Sequence, residues 1–103
     1  MRTPEKEPEI VGFLEALGRR SSCWELADYW SGDRCAVGVG SQTDPRRLAY
    51  VSTWGQPPDG YYVQLELPSV SGDVYQILRE ESVRSVDAAV EVVAEHLEAK
   101  RAL

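Results

Sequence analysis

"YYVQLELP", residues 61–68, decides the fold. On an extended chain Tyr61, Val63, Leu65 and Leu67 fall on one side and Tyr62, Gln64 and Glu66 on the other, a period of two that specifies a strand with one apolar face. Pro68 ends it, because proline cannot donate to a strand ladder. Upstream, "LAYVSTW" (48–54) reads as a partner strand, joined through "GQPPDG", whose residue types are those of tight turns. Further back, "CWELADYW" (23–30) alternates Trp24, Leu26 and Trp30 with Glu25 and Tyr29. Asp28 interrupts the apolar side and predicts an exposed or edge strand. "SGDR" then supplies turn residues before "CAVGVG" (35–40), where Cys35, Val37 and Val39 alternate, which predicts a hairpin. Gly38 and Gly40 leave the other side of that strand without side chains, so that an aromatic ring or a helix can lie close to the backbone. "SQTDPRR" is a connecting loop. Downstream of "SVSGD", "VYQILRE" (74–80) reads as a fifth strand, although Val74, Ile77 and Leu78 would also suit a helical turn.

Both ends of the chain change to a helical period. Ile10, Phe13, Leu14 and Leu17 form an i, i+3, i+4, i+7 stripe, with starts available at Thr3-Pro4 and Glu7-Pro8 and a stop at Gly18. Arg19 and Arg20 then sit at the negative end of the helix dipole. At the other end Ser85 is placed to cap a helix carrying Val86, Val90, Val93 and Leu97 on one side, backed by Ala89 and Ala94. Glu91, Glu95 and Glu98 read as a solvated ridge, and Lys100 and Arg101 as the closing cations. Short links between consecutive strands force antiparallel pairing. The expected architecture is α+β, a two-layer sandwich of four or five antiparallel strands flanked by an N-terminal and a C-terminal helix. The 103 residues form a single domain in which residues 1–7 are expected to fray.

A formal charge of −6, from 17 carboxylates against 11 Lys and Arg, repels phosphate backbones and anionic membranes, so neither nucleic acid nor membrane is an expected partner. "MRTPEKEPEI" holds no apolar signal core, and no run approaches the ~18 apolar residues of a membrane span, which reads as a soluble cytoplasmic chain. Cys23 and Cys35 are set off register in the predicted hairpin and imply no disulfide. With His96, the one histidine, they match neither a CxxC nor an HExxH pattern, and no glycine-rich phosphate loop occurs. No metal or other cofactor is expected. His96 lies off the apolar stripe near the end of its helix, a surface position where its charged form is favoured. Glu80 and Glu81 are adjacent on a strand and point to opposite faces, so they cannot act as a joint acid and base. A nucleophile with its base and orienting group is not visible, and the chain reads as noncatalytic.

What remains is aromatic. Trp24, Tyr29, Trp30, Tyr50, Trp54, Tyr61, Tyr62 and Tyr75 all fall in the predicted sheet or its loops, and the helices hold only Phe13. Tyrosine and tryptophan are the residues most enriched at interface hot spots. The expected contact surface for a protein partner is Trp30, Trp54, Tyr61 and Tyr62 with the acids Asp28, Asp59 and Glu66, stiffened by Pro57 and Pro58.

On "DYW", "STWG", "YYVQLELP" and the helix "SVDAAVEVVAEHL", the chain resembles the small immunity proteins of bacterial polymorphic-toxin systems, with the TriTu type nearest. The resemblance implies an inhibitor that occupies a toxin, often a basic nuclease, through a complementary acidic surface. Two other readings stand beside it. One is a homodimeric adaptor resembling type III secretion chaperones, which usually insert a helix between the middle strands where this chain has short turn-rich segments. The other is a small-molecule-binding or enzymatic domain with Tyr62 and carboxylates lining a cleft. The charge itself favours encounter with a basic protein, as a monomer or a homodimer.

Overall fold

The computed structural model describes residues 6–28, 34–44, 46–68 and 75–99. Helix α1 (Pro8–Arg20) leads into strands β1 (Trp24–Asp28), β2 (Ala36–Ser41), β3 (Leu48–Ser52), β4 (Tyr61–Pro68) and β5 (Tyr75–Val83), and helix α2 (Val86–Glu98) closes the fold. The strands form one sheet in the order β1-β2-β3-β4-β5, each antiparallel to its neighbour. This is the α+β arrangement expected. The segment at 75–83 is a strand, not a helical turn, and runs three residues beyond the predicted end.

The alternation of β4 carries through the ladder. Val37, Val51 and Val63 lie in register across β2, β3 and β4, as do Val39, Ala49 and Leu65 in the next inward row. All are buried. Over them α1 lays Ile10, Phe13, Leu14 and Leu17, and α2 lays Ala89, Val90, Val93, Ala94 and Leu97, so one face of the sheet and the two mutually packed helices share a single core. Each fully buried aliphatic or phenyl side chain there contributes about 1.5–3 kcal/mol relative to exposure.

Helix α1 starts at Pro8, the second of the two predicted starts. It does not stop at Gly18. The turn continues to Arg20 and ends when Ser21 takes an extended conformation while its N–H donates to Leu17 O. A side chain at Gly18 would meet only the Trp24 ring, at 3.8 Å, so no left-handed cap is required there. Arg20 explains the extra residues, because its guanidinium reaches across to Glu91 at 2.7 Å and Glu98 at 3.4 Å. The acidic ridge of α2 is therefore bridged to α1 at two of its three glutamates. Lys100 and Arg101 lie outside the described residues.

The N-terminal segment is anchored from residue 6 onward. Lys6 is 3% exposed and donates from Nζ to Ala36 O at 2.6 Å, the Glu7 N–H donates to Arg34 O, and Thr53 Oγ1 donates to the Glu7 carboxylate. Fraying of residues 6 and 7 is thereby corrected, while residues 1–5 are outside the description. At α2, the Ser85 hydroxyl accepts from the Ala88 N–H at 3.0 Å, as its N-cap assignment requires. Ser85→Ala is expected to cost about 1 kcal/mol, read as a lower urea midpoint with unchanged slope.

Candidate functional site: the uncovered sheet face

Among the described residues no helix lies on the second face of the sheet. Its rows follow from the register. One is Ala36, Ser52, Tyr62 and Ser82; the next is Gly38, Tyr50, Gln64 and Glu80; the third is Glu25, Gly40, Leu48, Glu66 and Ile77. Three carboxylates stand in these rows and no lysine or arginine does. The gap left by Gly38 is flanked by the Tyr50 ring rather than filled by a helix. Gly40 is overhung by Leu48, whose Cδ2 would lie 3.1 Å from an added Cβ.

The result is an open trough of about 560 Å³ floored at Gly38 and walled by Tyr50, Tyr62, Gln64 and Glu66. Tyr50 and Tyr62 meet edge to face, with ring centroids 6.4 Å apart and planes at 69°. The Tyr62 hydroxyl accepts from Gln64 Nε2 at 2.6 Å, which fixes both side chains. On the far side of this ring pair lies a second concavity of about 460 Å³, bordered by Cys35, Ser52, Trp54 and Gln56.

Trp54 stands at the corner, 79% exposed. It is not on a loose loop. The Trp54 N–H donates to Ser52 Oγ, the Thr53 N–H donates to Cys35 O, and two turns follow, closed by Gln56 N–H to Thr53 O and Gly60 N–H to Pro57 O. Gly55 has φ +73° and Asp59 φ +65°; in the second turn Pro58 and the left-handed Asp59 form the two central positions of a type II geometry. A side chain at Gly60 would sit 2.9 Å from Pro57 O, so glycine is required there. An exposed indole on a hydrogen-bonded, proline-stiffened corner gains nothing for folding, since most of its surface stays in water.

The sequence-predicted contact residues are only partly brought together. Trp54, Tyr62 and Glu66 belong to the uncovered face and Asp59 is exposed in the adjoining corner. Tyr61 does not belong there. It is 4% exposed on the core side, 6.2 Å from the Phe13 ring, and its hydroxyl donates to Glu9 O at 3.1 Å. Burial, then the nearby carboxylates of Glu9, Asp59 and Glu7, push the phenol pKa upward, so it stays a neutral donor. The alternation that turns Tyr62 outward turns Tyr61 inward. Trp30 lies outside the described residues, and Asp28 enters only through its backbone pairing with Gly38, beyond a bulge, on the edge strand β1. Tyr50, Gly38 and Gln64, which border the trough, are not among the residues singled out in the sequence as a contact surface; their positions opposite one another across three strands are visible only once the register is known.

His96 is also corrected. It is 7% exposed and turned toward the sheet, with Nε2 3.2 Å from Glu66 O and Nδ1 3.5 Å from Arg47 Nη1. Nε2 donates to the carbonyl and Nδ1 accepts from the guanidinium, which describes a neutral ring. Burial first, with Arg47 adding repulsion, lowers its pKa below the usual 6.5. Arg47 Nε is 3.5 Å from Asp44 Oδ2, an ion pair out of hydrogen-bond alignment. Asp44 itself is held below the ordinary carboxylate range mainly by its hydrogen bond from Arg46. Neither of the two concavities described above is lined by His96, and its partners among the described residues are the Glu66 carbonyl and the Arg47 guanidinium. Because the unfolded chain takes up this proton first, stability is full above pH 6.5 and is lost as pH falls below it. The urea midpoint of the wild type should therefore fall more steeply below pH 6.5 than that of His96→Gln; equal slopes would contradict a buried neutral imidazole.

Cys23 and Cys35 are half-buried and form no disulfide, and among the described residues no group of His, Cys, Asp and Glu could hold a metal ion. No described helix is long and apolar enough to cross a membrane. Fold and site define a class: a small two-layer α+β domain with one helix-covered sheet face and one aromatic and acidic face on which, among the described residues, no helix lies. No protein-family model, curated protein or solved structure matches the chain significantly.

Proposed function

We propose that the protein is a noncatalytic protein-binding domain, an immunity-type inhibitor that docks a basic toxin partner against its uncovered sheet face. The observation that carries this reading is Trp54, 79% exposed on a tied corner beside the Tyr50–Tyr62 pair. A solvated indole that contributes little to folding is suited to contribute to binding, and its fixed backbone limits the entropy lost on association. The three carboxylates in the other two rows of this face, Glu80, Glu25 and Glu66, favour a basic surface and would speed encounter with it. The secretion-chaperone alternative is less well supported, because the described residues between β2 and β3 and between β3 and β4 contain turns and no helix.

The reading is tested by co-expressing the chain with the product of the adjacent upstream gene and purifying by a tag on one partner. A stable complex that is weakened by Trp54→Ala and by Tyr62→Ala is the expected result. Wild-type recovery with both variants would refute this face as the docking surface, and a stable homodimer without the partner would favour the adaptor.

A further inference from the structure

The corner that carries Trp54 runs from Thr53, directly after β3, to Tyr61, the first residue of β4. Both of its ends are tied to one short segment at the start of α1. Thr53 Oγ1 donates to the Glu7 carboxylate, and the Tyr61 hydroxyl donates to Glu9 O at 3.1 Å. Thr53 is also the hub of the corner, since its N–H donates to Cys35 O at 2.9 Å and its carbonyl accepts from the Gln56 N–H at 3.1 Å, spanning Trp54 and Gly55. The segment is itself fixed to the chain entering β2, with Lys6 Nζ on Ala36 O at 2.6 Å and the Glu7 N–H on Arg34 O at 2.9 Å. Glu7 stands at the N-cap of α1, where a side chain ordinarily serves its own helix, but its carboxylate makes no cap hydrogen bond. It serves Thr53 instead, 46 positions along the chain.

We propose that Glu7 is a positioning residue for recognition by Trp54: through Thr53 it fixes the corner on which the indole stands, while Glu9 O holds the far end through Tyr61. The assignment rests on the docking reading above. A turn whose ring is 79% exposed has little apolar burial of its own to order it, so its order follows from these ties. The helix they lead to is rooted in the core by the fully buried Ile10 and Phe13. Trp54 is thereby presented in one direction, and the entropy of ordering the corner is lost on folding rather than on binding.

Glu7→Ala and Thr53→Val remove the acceptor and the donor of the first tie, whereas Glu7→Gln and Thr53→Ser keep an oxygen acceptor and a hydroxyl in place. Tyr61→Phe removes the second tie and leaves the ring in the core. Order parameters of the backbone and indole N–H groups of the full chain, from nitrogen relaxation, read the result. Wild type should lie near about 0.85 throughout the corner; Glu7→Ala and Thr53→Val should bring Trp54, Gly55 and Gln56 toward about 0.6, and Tyr61→Phe should do so at Asp59 and Gly60. Val37, Val51 and Val63 should stay unchanged, and Glu7→Gln and Thr53→Ser should match wild type. Affinity for the product of the adjacent upstream gene should fall about threefold to tenfold in Glu7→Ala and Thr53→Val and be retained in the two conservative variants. Wild-type order at Trp54 and Gln56 in Glu7→Ala and Thr53→Val, with only the urea midpoint lowered, would reduce the contact to a stabilising one and overturn the assignment, as would a loosened corner that binds with wild-type affinity. Absence of any complex with the wild-type chain would instead refute the docking reading, while the order parameters still decide whether Glu7 fixes the corner.

Discussion

Phe13→Ala is expected to lower stability by about 3–5 kcal/mol and the thermal midpoint by roughly 15–25 °C, with Phe13→Leu costing less than about 1.5 kcal/mol. The ring is fully buried, and it is the one aromatic that the helical layer sends into the core. It packs obliquely on Tyr61, with planes tilted by 40°, where β4 emerges from the corner loop. Alanine would leave a void bounded by α1 on one side and rigid strand backbone on the other, and neither can collapse without breaking ladder or helix hydrogen bonds. Calorimetric melting of the three proteins checks this. A Phe13→Ala midpoint within a few degrees of wild type would mean that α1 is not part of the cooperative core.

The same core shows what could be read from the chain. Val63 and Leu65 announced their inward side by alternation, and Ser85 announced its cap by its place before Val86 and Asp87, because both signals are local and depend on one element. Tyr61 was legible by the same rule, and its placement on the contact surface followed ring chemistry instead of the period. His96 repeats the lesson on a helix. It stands at i+7 from Ala89 and i+3 from Val93, both buried, so the stripe that carries them carries it inward too. Its charge suggested the surface, but burial against strand backbone outweighed the helix dipole. Gly18 failed for a different reason. A glycine stop is a local preference, and the pull of Glu91 and Glu98 on Arg20, more than seventy residues away, lies outside any local window. The trough was illegible for the same cause. Gly38, Tyr50 and Gln64 come from three strands, and only the register sets them side by side.

In the complex proposed above, Trp54→Ala should weaken binding by about 2 kcal/mol or more, roughly thirtyfold, while leaving stability within about 0.5 kcal/mol of wild type. The asymmetry follows from exposure. A ring that is 79% exposed in the free protein contributes little to folding, so its deletion removes little from the free state. Covered by a partner, it would lose most of that exposure, and the backbone beneath it is already held by Ser52, Cys35 and the paired turns of the corner, so ordering costs are small. Asp59→Asn, an exposed rim charge in the same loop, should act differently, lowering the association rate and its salt dependence more than the lifetime of the complex. Isothermal calorimetry and stopped-flow kinetics on a purified pair separate the two effects. Equal affinity for wild type and Trp54→Ala would leave the exposed indole without a role in recognition and move the docking surface away from this face.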